Sequence, residues 1–269
     1  MTIRYSSLIR TFNSERTLPA TLCSLAKQTI PPGEYIFVDS GSTDRTLSIL
    51  PQSAILHEYR GREFNFSDAL NQGLNYVSTE YVLIISSHTL LNDPGAMDYA
   101  LNLLASNDMI GAAYFSNDLG ARISHSLINK TIFDGFNGLW NTCALIKVKL
   151  LRRRPFRPDV FSAEDQEWAR WLLHCENKVI ARISGAGMDD SRNVNAIRHK
   201  RRKKINEYVA IAYFANRNLL SVCNLVRMAY HVIKPSRHIG LEERVFKLTL
   251  LFPLLACYFV KPKHKSKYF

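Results

Sequence analysis

Tyr35-Ile36-Phe37-Val38, followed by Asp39-Ser40-Gly41-Ser42-Thr43-Asp44, sets the architecture expected of this 269-residue chain. Four consecutive apolar residues are the pattern of a strand buried on both faces. The polar turn behind them stops the strand and opens a helix expected over Arg45–Leu50. The same alternation repeats on either side. Upstream, Ser6–Arg10 reads as a strand and Leu18–Gln28 as a helix ended by Pro31, Pro32 and Gly33. Downstream, Ala54–Leu56 reads as a strand, Phe66–Val77 as a helix with apolar residues at 66, 69, 70, 74 and 77, and Tyr81–Ile85 as another buried strand. Pro94–Leu104 and Ala163–Cys175 are further helices, and Ala112–Phe115 and Ala144–Val148 further strands. Leu119–Asn141, polar and Gly-bearing, reads as a long functional loop with a short helix, and Asn206–Ile233 as one long helix. Repeated βα units predict an α/β protein with a mostly parallel central sheet flanked by helices and a C-terminal helical extension. Ligands of such sheets bind beyond the carboxyl ends of the strands. Two of those ends carry polar clusters, Asp39–Asp44 and Ser86-Ser87-His88.

Charge divides the chain. Residues 1–191 hold 18 Lys and Arg against 20 Asp and Glu, whereas residues 192–269 hold 17 against 3, so the net +12 lies wholly in the last third. A near-neutral body over residues 1–197 and a basic helical region over 198–269 are therefore expected. At 46% hydrophobic and 22% charged, the composition excludes a disordered or fibrous chain. Five scattered cysteines without CxxC spacing argue against a disulfide framework or zinc site and fit a reducing cytoplasm. Met1–Arg10 lacks the apolar core of a signal peptide, and Leu248–Val260 is too short for a bilayer span, which needs roughly 20 residues. Neither a P-loop nor a GxGxxG dinucleotide pattern occurs.

Ser7-Leu8-Ile9-Arg10-Thr11-Phe12-Asn13-Ser14-Glu15, then Leu18, Leu22, Leu25 and Gln28-Thr29, then Ile36 to Asp44, follow the order strand, T-x-N-x-E-x-x-L turn, helix ending in Q-T, and V-D-x-G-S-x-D turn. In this the chain resembles family 2 glycosyltransferases, and the likeness continues through Phe64-Asn65 to Asn71-Gln72-Gly73 and on to about residue 175. The resemblance implies a GT-A fold that binds a nucleotide-sugar donor through Thr11, Asn13, Glu15, Asp39, Ser42, Asp44, Asn71, Ser86 and His88. Physically, a strand-end carboxylate such as Asp39 can accept a base N–H, while Ser42-Thr43-Asp44 suits ribose or phosphate or is a plain helix cap.

Where the family carries a D-x-D metal site, Ser86-Ser87-His88 stands here, as in a bacterial subgroup with S-x-H at that position. A divalent cation, Mn²⁺ or Mg²⁺, with His88 and Asp190 as ligands is one expectation. A protonated His88 that bonds the diphosphate directly, or a His88 with an ordinary satisfied hydrogen bond, are the others. Asp189 and Asp190 read equally as loop carboxylates paired with Arg192, and His199 follows them in the basic cluster. Phe161-Ser162-Ala163-Glu164-Asp165-Gln166-Glu167-Trp168 resembles the family's catalytic helix start, which implies Asp165 as base and Glu164 as its neighbour. Alone, such acidic residues would only complement a helix dipole. Trp168 is either an acceptor-stacking wall or core.

The resulting expectation is an inverting glycosyltransferase that moves a hexosyl or deoxyhexosyl unit onto a glycan or lipid-linked acceptor in bacterial polysaccharide biosynthesis. Arg152-Arg153-Arg154 and Arg198–Lys204 lack the aromatic interleaving of a nucleic-acid module, so no nucleic-acid partner is expected. Leu248–Val260 with Lys261, Lys263, Lys265 and Lys267 predicts peripheral attachment to an anionic membrane at the cytoplasmic face. A buried C-terminal helix with a frayed tail is the competing expectation. The rival functions are a catalytically silent nucleotide- or glycan-binding relative and a membrane-surface adaptor.

Overall fold

The computed structural model describes residues 3–60, 63–118, 120, 122–190, 200–234 and 240–263. The boundary expected at residue 197 and its neighbours Ser191, Arg192, Arg198 and His199 lie outside these residues, as do Lys265 and Lys267.

The first half runs β1 (Tyr5–Thr11), α1 (Leu18–Ala26), β2 (Glu34–Asp39), a 3₁₀ turn (Arg45–Ile49), β3 (Ile55–Glu58), α2 (Phe66–Leu74), β4 (Tyr81–Ser86), β5 (Leu90–Leu91) and α3 (Ala96–Ser106). Then come β6 (Ile110–Phe115), β7 (Ser124–Ile128), β8 (Cys143–Lys147), α4 (Val148–Arg153), α5 (Glu164–His174), β9 (Val179–Ser184) and β10 (Met188–Asp189). Eight strands form one sheet in the order β3-β2-β1-β4-β8-β6-β9-β7, and β5 pairs with β10 beside it. Only β8 and β7 run against the other six, so the sheet is mostly parallel and β1 to β4 end along one edge.

Burial on both faces explains the apolar runs. Successive residues of a strand point to opposite faces. Leu8, Val38, Val82 and Ile84 therefore pack with Leu70 of α2 and Trp168 and Leu172 of α5. Ile9, Phe37, Leu83 and Ile85 pack on the other face with Leu25 of α1 and Leu101 of α3. Gly73 lets α2 settle on the sheet: a Cβ there would lie 2.4 Å from Leu8 Cδ1 and 2.7 Å from Val38 Cγ2. Gly73→Val is accordingly expected to destabilise the fold by about 1–3 kcal/mol, read from a urea midpoint.

Three expectations are corrected. Leu119–Asn141 contains no helix among its described residues; instead β7 closes the sheet by pairing antiparallel with β9. Four of its five residues are exposed, so it carries no apolar run. Arg45–Leu50 is a single 3₁₀ turn, capped by Asp44, whose Oδ1 accepts from Thr46 N at 2.9 Å. Asn206–Ile233 is not one helix but α6 (Lys200–Ala210), a π turn (Ile211–Ala215), a 3₁₀ turn (Arg217–Leu220) and α7 (Val222–Ile233). Asn216 leaves helical geometry at φ −142° and donates from Nδ2 to Asp134 O at 2.7 Å.

The last helix is α8 (Leu241–Ala256). Ala210, Ile211 and Ala215 pack against Val160 and Ala163 ahead of α5, so the C-terminal region is seated on the body beside the acidic helix start. Its own small core joins Val209, Leu225, Leu250 and Leu254. Outward, Val222, Val226, Tyr230 and Ile233 of α7 and Leu241, Leu248 and Phe252 of α8 remain exposed, followed by Phe259. No helix among the described residues is long and apolar enough to cross a membrane.

Candidate active site

The ends of β1 and β2 are stitched together by side chains rather than left free. Asp39 is buried, and its carboxylate accepts four hydrogen bonds. Thr11 Oγ1 (2.8 Å) and Ser42 Oγ (2.6 Å) donate to Oδ1, and the Gly41 and Ser42 amides (3.0 and 2.8 Å) donate to Oδ2. Its lone pairs are thus filled, and its direct work is to fix the turn. Gly41, at φ +87°, supplies the left-handed residue that the turn requires. Asn13, itself at φ +47°, accepts from Thr43 N at 2.8 Å, and Glu15 accepts from Arg45 N at 2.9 Å. The Asp44 carboxylate also accepts from Glu15 N at 3.1 Å. Phe12, Asn13, Gly41 and Thr43 form the exposed surface of this lattice. Asn71 stands apart. Its carboxamide clasps Phe156, donating to the carbonyl at 2.7 Å and accepting from the amide at 3.0 Å, which makes it a brace between α2 and the chain before α5.

Next along the edge comes the end of β4. Arg10 lies in register with Ser86, and Ser86 N donates to Thr142 O at 3.0 Å, so β1, β4 and the start of β8 form a row. Ser86-Ser87-His88-Thr89 closes a turn through Thr89 N to Ser86 O at 3.0 Å, and the Ser87 and Ser14 hydroxyls meet at 2.8 Å. Antiparallel pairing of Asp189 with Leu90 then brings Asp190 alongside His88. Burial lowers the His88 pKa, with the Arg10 and Lys203 cations acting in the same direction and Asp190 opposing them. The surroundings, without a bound phosphate, therefore disfavour the imidazolium. Among the described residues no three His, Cys, Asp or Glu side chains converge as metal ligands. His88 and Asp190 could supply two positions on a Mn²⁺ or Mg²⁺ whose others are filled by water and donor phosphate oxygens, while the Arg10 and Lys203 cations oppose a metal there.

The third component is the start of α5. Ser162 holds a left-handed φ of +56°, which turns the chain so that Glu164 and Asp165 open the helix. Asp165 accepts from Asn141 N at 3.2 Å and from Gln166 N at 2.8 Å. Gln166 in turn accepts from Gly138 N at 2.9 Å and donates to Leu139 O at 2.7 Å, tying α5 to the segment before β8. Burial, reinforced by the Glu164 and Glu207 charges, pushes the Asp165 pKa up to about 8. Glu207 belongs to α6, which sequence reading had not brought to this site. Trp168 is fully buried, donates from Nε1 to Arg154 O at 2.9 Å and packs on Phe156 and Trp171. Of its two readings, core is the one realised.

Besides Glu207, two residues escaped sequence reading as site members. Arg10 packs its guanidinium 4.7 Å over the Phe66 ring, within electrostatic reach of Glu164, Asp165 and His88. Asn141 is buried, and among the described residues its side-chain amide has no hydrogen-bond partner. On the other flank, a cavity of about 550 Å³ is lined by Leu56, His57, Glu58, Arg60 and Gln72. It adjoins the Asp39 turn, because Glu58 pairs with Asp39 and Tyr59 N donates to Asp39 O at 2.7 Å.

A mostly parallel sheet whose strand ends carry a polar turn, a Ser-Ser-His turn and an acidic helix start is the GT-A glycosyltransferase architecture, and solved structures bear this out. The mannosyltransferase PcManGT from Pyrobaculum calidifontis, solved with GDP-Man and Mn²⁺, superposes with a TM-score of 0.61 over 95% of this chain and 86% of that one at 18% identity. S. aureus TarS 1-349 gives 0.56 over 94% and 80% at 19% identity. Residues 6–154 match Glycosyl transferase family 2, and the chain belongs to that family.

Among curated relatives, the poly-beta-1,6-N-acetyl-D-glucosamine synthase of Staphylococcus epidermidis is 27% identical over 40% of this chain. A PGL/p-HBAD biosynthesis glycosyltransferase of Mycobacterium bovis is 34% identical over 31%. The matched stretches span only 27% and 34% of those relatives' own lengths.

Proposed function

We propose that this glycosyltransferase is an inverting enzyme that moves a hexosyl or deoxyhexosyl unit from a nucleotide-sugar onto a hydroxyl of a glycan or lipid-linked acceptor in bacterial polysaccharide biosynthesis. The carrying observation is Asp165, a carboxylate of raised basicity at a helix start beside the strand ends. Asp165 takes the acceptor's hydroxyl proton as that oxygen bonds to the anomeric carbon. The bond from that carbon to the donor phosphate breaks on the opposite side, and its electron pair leaves with the nucleoside diphosphate. Base and ribose lie along the Asp39 turn toward the cavity at His57, a volume within the range of ligand pockets. Thr11, Asn13, Glu15, Asp39, Ser42 and Asp44 shape that surface through their mutual bonds, while Ser86 and His88 border the diphosphate. The S-x-H turn marks this chain's subgroup. A nucleotide-sugar panel offered with and without EDTA and added Mn²⁺ or Mg²⁺, with the product's anomeric configuration read by NMR, tests the proposal. Retention of configuration, or no turnover of any donor, rejects it, and the latter favours the silent-relative reading.

The pH dependence has a definite sign. A base with a raised pKa is ionised only as pH climbs, so kcat/KM is expected to increase nearly tenfold per unit on approach to about pH 8 and then level off.

In this proposal residues 1–197 are the transferase body and residues 198–269 attach it to the cytoplasmic face of a membrane. The exposed apolar stripe over α7 and α8, with Phe252 and Phe259 83% and 89% exposed, supports this together with the exposed Arg227 and Lys234. Phe252→Glu combined with Phe259→Glu is expected to weaken co-sedimentation with phosphatidylglycerol vesicles by about tenfold or more. Unchanged sedimentation, or dimerisation through the stripe in place of vesicle binding, rejects it.

A further inference from the structure

We propose that Arg10 is a catalytic residue whose guanidinium grips the donor diphosphate and balances the charge that collects there as the sugar departs. The proposal rests on the transferase reading above and assigns its phosphate subsite. Arg10 is the penultimate residue of β1, next to Thr11, which bonds Asp39, and in register with Ser86 on β4. It therefore lies between the turn that borders the nucleotide and the turn that carries His88. Its guanidinium carbon lies 4.7 Å from the Phe66 ring centroid, a cation–π contact that helps hold the group at the strand end. Among the described residues, the buried Nη1 has no hydrogen-bond partner and no carboxylate pairs with Arg10 within 4.0 Å.

A buried donor left unpaired is costly, and a guanidinium fork matches two phosphate oxygens. The Asn141 carboxamide, also buried and without a partner among the described residues, lies along the same row of strand ends. Loss of the sugar adds one unit of negative charge to the leaving diphosphate, since the proton goes to Asp165 and not to the phosphate. Arg10 is a permanent cation beside that charge, one that needs no metal to act.

Calorimetric titration in EDTA with UDP, GDP and dTDP, each against its monophosphate, tests this. The intact protein is expected to bind its preferred diphosphate about tenfold or more tighter than the monophosphate. Arg10→Gln is expected to erase that increment while holding monophosphate affinity within about twofold, and Arg10→Lys to keep part of it. Thermal melts confirm that both variants fold. If Arg10 served only as a counter-ion to Glu164 and Asp165, melting would shift and the increment would survive, which overturns the proposal. An increment that appears only with added Mn²⁺ or Mg²⁺ also overturns it. Failure of every nucleotide to bind the unaltered protein rejects the transferase reading itself, a different result from an increment that persists in Arg10→Gln.

Discussion

Asp165→Asn is expected to lower transfer by about 10²–10⁴-fold while raising the melting temperature. The two effects share one cause. A carboxyl whose folded-state pKa is pushed up to about 8 is held in a site that disfavours its charge. Over the window from about pH 4 to 8 the folded state binds more protons than the unfolded chain, so stability falls as pH rises through it. Asparagine keeps the shape and one acceptor for the Asn141 amide but carries no charge, so the variant is the more stable protein at pH 8 and loses its advantage below about pH 4. Each kcal/mol recovered moves the midpoint by roughly 2–4 °C. Calorimetric scans of both proteins at pH 4 and pH 8, alongside initial rates, measure the pair of effects. A variant equally stable at both pH values, or one that retains turnover, removes Asp165 from the role of base.

Trp168→Ala is expected to be the most destabilising single change, at about 3–5 kcal/mol, because it empties a fully buried indole site between Phe156 and Trp171. It also leaves the Arg154 carbonyl without the indole N–H that reaches it at 2.9 Å. Urea unfolding reads the loss directly. Trp168→Phe, which keeps most of the volume, is expected to lose much less and to leave acceptor KM unchanged. A raised KM with unaltered stability would instead restore the acceptor-wall role that burial denies to this side chain.

Much of the sheet is legible in the sequence because strands covered on both faces need unbroken apolar runs. Tyr35–Val38 and Tyr81–Ile85 show this, and both fall inside β2 and β4. The edge is different. β7 needs apolar residues on neither face except at Ile128, so Ser124-His125-Ser126-Leu127 carries no signal that separates it from a loop. The break at Asn216 depends on an acceptor at Asp134, far away in the chain, and local periodicity cannot register it.

The candidate site divides along the same line. The positions of Asp39 and Asp165 follow from a turn after a strand and the first turn of a helix, both local patterns. What each side chain does there is set partly by neighbours in the chain and partly by distant partners. Asp39 has its lone pairs filled by Thr11, Gly41 and Ser42, and Asn71 is committed to Phe156. Arg10 reads in sequence as one polar residue in a strand. Its significance emerges only when α2 brings Phe66 over it and α5 brings Glu164 and Asp165 near.

Glu207 gives the seating of α6 a chemical meaning. Its negative charge is one of the influences that strengthen proton retention by Asp165, and it is delivered by a helix continuous with the π turn packed on Val160 and Ala163. Any displacement that lifts α6 from this seat withdraws a like charge and makes the acid ionise sooner. In the proposed mechanism, the base would thus take part of its proton affinity from a helix that lies outside the sheet.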